Sequence, residues 1–394
     1  MSLAGDVPEH DSGTRAGGAG KVPRVWLLTD DRPGNTTQSV GLAQALGWPY
    51  ETKQLCFNAL ADLRNRWLRT YGATLIGLDR KRSANLGPPW PDLVITAGLR
   101  TAPIARWIKK QSGQAVIIQI GRKGGHIADF FDAVITCSYA QLPPHPKRIE
   151  ITVPITRVTP RSLAEASIEW AELFRDAPRP RIALLVGGAT ARHRFDADVA
   201  RRLGEDLARF AADAGGSVFA ITSRRTGGEA AQALRSGLGP GAHFHGWNPS
   251  GGVNPYLAYL GSADVIVVTG ESESMLAEAA MSGKSVYVYE LPERPLSRKA
   301  LLKNYIAKRA QRLADEPDRA ERLQAVVDRL CVMLIGKGIV RPPRDLHGLH
   351  ETLIRAGIAR RFGEPLNLQA PPALNEMDMV VRRVKTLLRT EGER

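Results

Sequence analysis

Short runs of β-branched and other apolar residues recur along this chain, separated by stretches with helical spacing. That alternation constrains the fold more than any other feature, because it is the pattern of parallel sheets whose crossovers are helices. The first half carries "RVWLLTD" (24–30), "DLVITAG" (92–98), "AVIIQIG" (115–121) and "DAVITCS" (132–138), with helix-like "TTQSVGLAQALG" and "TAPIARWIKKQS" between them. The second half carries "IALLVGG" (182–188), "SVFAITS" (217–223), "DVIVVTG" (264–270) and "SVYVYEL" (285–291). Runs so continuously apolar are buried on both faces, as in a doubly wound sheet. The rhythm breaks at the Pro-rich "PPHPKRIEITVPITRVTP" (143–160), which reads as a linker between domains, and again at "RDAPRPR" (175–181). With 394 residues the chain also exceeds what one core holds.

The expectation is therefore an α/β protein of two Rossmann-like, doubly wound parallel sheets facing each other across a cleft. Its parts would be a loose tail (1–22), an N-terminal Rossmann-like domain (23–160), a C-terminal Rossmann-like domain (178–345) and C-terminal helices (346–394) able to cross back to the first domain. The last of these, "NEMDMVVRRVKTLLRT" (375–390), sets Met377, Val380, Val384 and Leu387 on one helical stripe.

Composition narrows the class. Hydrophobic residues make up 43% and charged residues 24%, as in folded soluble domains. No apolar run approaches the roughly 20 residues that cross a bilayer, and the first residues lack an apolar signal core, so a cytoplasmic protein is expected. Cys56, Cys137 and Cys331 are too few and too scattered for a disulfide framework or a zinc site. A net charge of +14 favours polyanionic partners. Without a helix-turn-helix, zinc-finger or RNP signature, a nucleic acid is not among them. A phosphate-bearing ligand, or an anionic membrane surface met peripherally on its inner face, fits better.

Ligands of open parallel sheets sit beyond the carboxyl ends of the strands, where helix N-termini point outward. Four such ends carry chemistry here. "TDDRPGNTTQS" (29–39) puts Asp30, Asp31 and Arg32 before a helix that Asn35, Thr36 or Thr37 can cap; a plain Asx turn explains the same residues. "VGGATARHRF" (186–195) offers Gly187 and Gly188, which let backbone approach phosphate or simply make a tight turn, and matches neither the dinucleotide fingerprint nor the P-loop. "ITSRRTG" (221–227) presents Ser223, Arg224 and Arg225, suited to a diphosphate or to a solvated basic turn. "VTGESESMLAEAAMSGKSV" (268–286) places Thr269, Ser272 and Ser274 at a helix start, where they can cap it or meet an anion. Glu271 and Glu273 there can simply satisfy the helix dipole, which explains them fully. Glu278 lies beyond the first turn, where a carboxylate can accept from the vicinal hydroxyls of a ribose.

Together these blocks resemble the C-terminal half of GT-B glycosyltransferases, in which a Gly-containing strand end and a helix with a Glu before "AA..G.PV" hold the nucleotide. More closely, the chain resembles the family named for the plant elongated-mitochondria fission protein. The blocks "LLTDDRPGNTTQSVGLAQALG", "PDLVITAGLRTAPIA", "QIGRKG" with "FDAVIT", "LLVGGAT", "SRRTG" and "NPYLAYLGSADVIVVTGESESMLAEAAMSGKSVYVYEL" carry the resemblance, in order, from Arg24 to Leu291. It extends more loosely to about Arg360. Where the family usually reads Thr-Gly-Asp-Ser-Val-Ser-Met, this chain has Glu271 and Glu273 in place of the Asp and the Val.

The resemblance implies binding of a nucleotide-sugar donor in the cleft, with sugar transfer as the activity. Arg224, Arg225 and helix N–H groups would neutralise the leaving diphosphate, so no metal and no separate cofactor is expected. Asp31 is the candidate base for the acceptor hydroxyl, with His126 behind it. His347 and His350, three apart, are a metal pair only in an unusual case. The acceptor would be lipid-linked if the protein works at a membrane. The plant relative's association with recruitment of a fission dynamin implies the competing role, a non-catalytic, membrane-associated adaptor. "GESES" lacks the second glycine of a nucleophile elbow, against a hydrolase, and a sugar-nucleotide epimerase would need a dinucleotide fingerprint and a Tyr-x-x-x-Lys pair.

Overall fold

A computed structural model describes residues 22–61, 72–121, 128–315 and 323–392. Twelve strands form two six-stranded sheets, and every pairing within them is parallel. The first sheet has the order β2-β1-β3-β4-β5-β6, with β1 at Val25–Thr29, β2 at Tyr50–Gln54, β3 at Leu93–Ala97, β4 at Val116–Ile120, β5 at Ala133–Cys137 and β6 at Arg148–Ile151. The second has the order β12-β11-β10-β7-β8-β9, with β7 at Arg181–Val186, β8 at Ser217–Thr222, β9 at His243–His245, β10 at Val265–Thr269, β11 at Ser285–Tyr289 and β12 at Ala359–Arg361. Read from β9, that second order is the 3-2-1-4-5-6 of a dinucleotide-type Rossmann sheet; the first follows the flavodoxin-like 2-1-3-4-5 with one strand added. The molecule is thus α/β, with two Rossmann-like parallel sheets.

The eight runs legible in the sequence are the inner strands, and β1, β3 and β10 are buried at every residue. Four strands were not legible. β2 is an edge strand in which only Lys53 is buried, and β9 and β12 have three residues each. β6 lies inside the Pro-rich stretch expected to be a linker. There Ile149 and Ile151 enter the first core, while Val153, Val158 and Leu163 pack with Tyr259 and Ala263 of the second, so one segment serves both.

Each sheet is covered on both faces. One face of the first packs against the helix Pro33–Leu46 and the C-terminal helix Glu376–Gly392, whose Val380 and Val384 are wholly buried. The Glu376 carboxylate anchors that helix by accepting the Thr152 N–H (2.8 Å) and hydroxyl (2.6 Å). The halves also meet where the Asp345 N–H donates to Tyr139 O (2.9 Å) and Gln141 Nε2 donates to Pro343 O (3.1 Å).

In each sheet the chain runs outward one way and then returns to add strands on the other side. The reversal falls between β1 and β3 in the first sheet, and between β7 and β10 in the second. Loops leaving such adjacent strands part from each other and open a crevice.

Candidate functional site

At the second sheet's reversal, the ends of β7, β8 and β10 converge. The Gly187 N–H donates to Thr269 Oγ1 (2.9 Å) and the Gly188 N–H to Glu271 Oε1 (2.7 Å). The glycines are required for this closeness. A Cβ on Gly187 would lie 2.0 Å from Glu271 Oε1 and 2.8 Å from Arg225 Nη2, and one on Gly188, at φ +119, would lie 2.5 Å from the Arg225 backbone. Their amides therefore face β10 and its loop, so the Gly-Gly turn acts as a close seam between strand ends and its own N–H groups do not cradle an anion.

Ser223 follows β8, and its hydroxyl donates to Gly187 O while accepting the Arg225 N–H (3.2 Å). Thr226 adds a donor to the same carbonyl (3.2 Å). This turn aims Arg225 across the seam, where Nη2 donates to Ser272 Oγ (3.2 Å) and stands 3.5 Å from Glu271 Oε1. Ser272 holds the cap position of the helix Glu273–Ala280, yet its hydroxyl takes no first-turn N–H. The serine expected to cap is used for the arginine instead, and the amides of the first turn keep their partial positive charge toward the crevice.

Of the residues predicted from sequence, the structure brings together Gly187, Gly188, Ser223, Arg225, Thr269 and Ser272. Arg224 is exposed beside Arg225, and Ser274 is exposed on the first turn of the helix. Glu278 lies four residues after Ser274 on the same helical face, its Oε2 accepting the Tyr256 hydroxyl. Burial raises the Glu278 carboxyl above its ordinary range, with the Tyr256 bond opposing, and raises the Tyr256 phenol well above its own.

Glu271 is the residue that sequence reasoning undervalued. Its side chain is fully buried, Oε1 is held as described, and Oε2 has no hydrogen-bond partner. Burial pushes its carboxyl up to about 7, with Arg225 pulling the other way. Its signals in the sequence were its position one residue past a strand-end glycine and the acid that the resembled family usually carries there; that β10 lies beside β7 is not written in the sequence.

Glu271 also lines a polar cavity of about 580 Å³, walled by Arg192, His193, Glu290, Lys308 and His350 among others. His350 donates Nε2–H to Gly270 O (2.8 Å), and burial lowers the pKa of both His350 and His193, which favours the neutral imidazoles. His350 is thus spent on the strand end, and no metal-holding cluster of three or more His, Cys, Asp or Glu occurs among the described residues.

A second cavity, about 380 Å³, lies between the sheets. Arg32 from the β1 loop, Asn35 and Gln38 from the helix that follows it and Gly98 from the β3 loop line one side, and Glu273, Arg341 and Arg344 the other. Asp30 organises the β1 loop, accepting the Arg32 N–H (3.1 Å) and Asn35 Nδ2–H (3.3 Å). The helix begins at Pro33 with Arg32 as its cap, so Asn35 serves Asp30 and does not cap the helix. Asp31 is 73% exposed, with Arg100 Nη1 3.1 Å away. His126 lies outside the described residues.

A family profile described as Mitochondrial fission ELM1 matches residues 33–326. This chain belongs to the mitochondrial fission ELM1 family. One relative is an uncharacterized protein of Rickettsia prowazekii, 28% identical over 328 residues that make up 74% of this chain and 90% of that one. Another is Mitochondrial fission protein ELM1 of Arabidopsis thaliana, 29% identical over 224 residues, so that the match spans 50% of this chain and 51% of the plant protein. Among solved structures, Acinetobacter baumannii MurG is 13% identical with a TM-score of 0.40, over 92% of this chain and 100% of that one. Likeness at that level bears on nothing at the site. The ELM1-family match takes in the whole seam between β7, β8 and β10, and it starts just after Asp31. No described helix is long and apolar enough to cross a membrane.

Proposed function

We propose that this ELM1-family protein binds a nucleotide-sugar donor on its second sheet and transfers the sugar, without a metal ion, to an acceptor held by the first. The observation that carries the reading is the Arg225–Ser272 contact at the start of the helix Glu273–Ala280. It sets a guanidinium beside uncapped helix amides at a topological reversal. Anions gain from both, and a leaving diphosphate develops its charge in the transition state, where such fixed donors act most strongly. Exposed Arg224 and Ser274 would complete the diphosphate subsite. Glu278, oriented by Tyr256, would take a ribose hydroxyl on its remaining oxygen. Gly187, Gly188, Ser223 and Thr269 would hold the strand ends in register around it.

Sugar transfer needs a base for the acceptor hydroxyl. Asp31, in the loop after β1, is the proposed base, which requires the acceptor to displace Arg100; His126 is the second candidate. Nucleotide sugar is the substrate, and no separate cofactor is invoked. The net charge of +14 supports peripheral contact with an anionic membrane face, where a lipid-linked acceptor would reside. The same charge is what favours the other reading, a non-catalytic membrane-associated adaptor.

The two separate by turnover. The protein is incubated with a panel of nucleotide sugars, lipid-linked polyprenol acceptors and EDTA, and release of nucleoside diphosphate is measured. Glycosyl transfer predicts release from at least one donor, lost in Arg225→Ala and unaffected by EDTA. No release from any donor leaves the adaptor reading.

A further inference from the structure

Two helices on the second half, Arg298–Asp315 and Leu323–Gly336, form an antiparallel pair. The Arg309–Asp328 ion pair (2.7 Å) joins them, and buried Ile306, Ala310, Cys331 and Ile335 form the seam between them. Ala307 and Ala325, 1% and 2% exposed, mark the side turned to the body of the protein. At about 100° per residue, Leu301, Leu302 and Tyr305 fall on the other side of the first helix. Val326, Leu330 and Met333 do the same on the second. Because the helices run in opposite directions and each stripe is offset from the seam in the same sense, both stripes emerge on one face. These side chains are 40% to 63% exposed.

Scattered exposed apolar residues are ordinary, but a two-helix face of them is not. We infer that this hairpin is the surface by which the protein docks on an anionic lipid bilayer. The choice of a bilayer over another protein rests on charge. Between residues 298 and 337 stand ten Lys or Arg against five Asp or Glu, a denser positive excess than in the chain as a whole. Exposed Arg298, Lys299, Lys308, Arg312 and Lys337 border the apolar face. Leucine and tyrosine within a basic border match an interfacial helix, which seats its apolar side among acyl chains and its cations among anionic headgroups. Neither helix is apolar enough to cross the membrane, so the hairpin lies on it. Asn304 and Lys308 of the first helix also line the polar cavity that contains Glu271, so docking brings that cavity to the lipid surface. The assignment rests on the membrane contact proposed above and is independent of sugar transfer.

The test is co-sedimentation of the full chain with phosphatidylcholine vesicles containing or lacking phosphatidylglycerol. Two variants accompany the wild type, Leu302→Asp/Leu330→Asp and Arg298→Ala/Lys299→Ala, with circular dichroism confirming that each folds. Wild-type protein should bind only the anionic vesicles. The aspartate variant should weaken binding about tenfold or more, and the alanine variant should flatten its salt dependence. Wild-type protein that ignores anionic vesicles overturns the hairpin and the membrane contact together. Full binding by both variants overturns the hairpin alone and moves the contact elsewhere. Sedimentation equilibrium supplies the remaining outcome: a wild-type dimer that Leu302→Asp/Leu330→Asp makes monomeric, with vesicle binding unchanged, makes the face a contact between copies and overturns the proposal.

Discussion

Glu271 and Gly187 show how one atom's room decides the site. The carboxylate occupies the space a side chain at position 187 would need, so Gly187→Ala forces Glu271, Arg225 or Ser272 aside. It is expected to lower unfolding stability by about 1–3 kcal/mol in chemical denaturation and to weaken nucleoside diphosphate binding at the same time. The same carboxylate should make stability depend on pH. Its pKa rises from 4.5 in the unfolded chain to about 7 when folded, so the folded state holds the proton more tightly. That contribution is complete below the unfolded value and is lost as pH rises through the folded one. Between about pH 5 and pH 8, wild type should therefore lose stability relative to Glu271→Gln, on the order of 3 kcal/mol at about 1.4 kcal/mol per unit. Urea unfolding at the two pH values measures it, and parallel behaviour of the two proteins would show that Glu271 ionises freely. Sequence made Arg225 and Ser272 visible as residue types at strand ends. It hid Glu271, because an acid near a helix start has an adequate local explanation, and only the neighbouring strand gives it another.

Among the elements, the inner strands were legible because burial on both faces demands unbroken apolar runs. β2, β6, β9 and β12 escaped because edge or three-residue strands need no such run, and prolines flanking β6 suggested a linker. The final helix was legible as an amphipathic stripe, since Met377, Val380, Val384 and Leu387 follow helical spacing. Its return to the first domain was an expectation that the stripe alone does not carry, because a stripe records that a face is buried and not against what. In the structure Val380 and Val384 complete the first sheet's core from the far end of the chain. Val380→Ala and Val384→Ala should each cost about 1–3 kcal/mol of stability, while leaving ligand affinity at the second sheet unchanged. Thermal unfolding with and without nucleoside diphosphate checks both halves of that expectation. A stability change confined to the second sheet, read by hydrogen exchange, would contradict the packing.

For the molecule as a whole, two doubly wound parallel sheets were expected from the repeated strand–helix rhythm, and the strand orders bear that out. The relation between the halves was not legible. It depends on contacts such as Asp345 with Tyr139 and Thr152 with Glu376, which join residues about 200 positions or more apart and leave no periodic trace. The proposed division of labour rests on this arrangement: donor on the sheet bearing Arg225, acceptor on the sheet bearing Asp31. Its foundation is a diphosphate subsite built from one guanidinium and one helix start. Titration calorimetry of the wild type and Arg225→Ala with a set of nucleoside diphosphates, in EDTA, tests that foundation most directly. At least one of them should bind the wild type, and the variant should bind it about tenfold or more weakly, a loss of about 1.4 kcal/mol. Equal affinities in the two proteins, or no binding to either, would contradict the account.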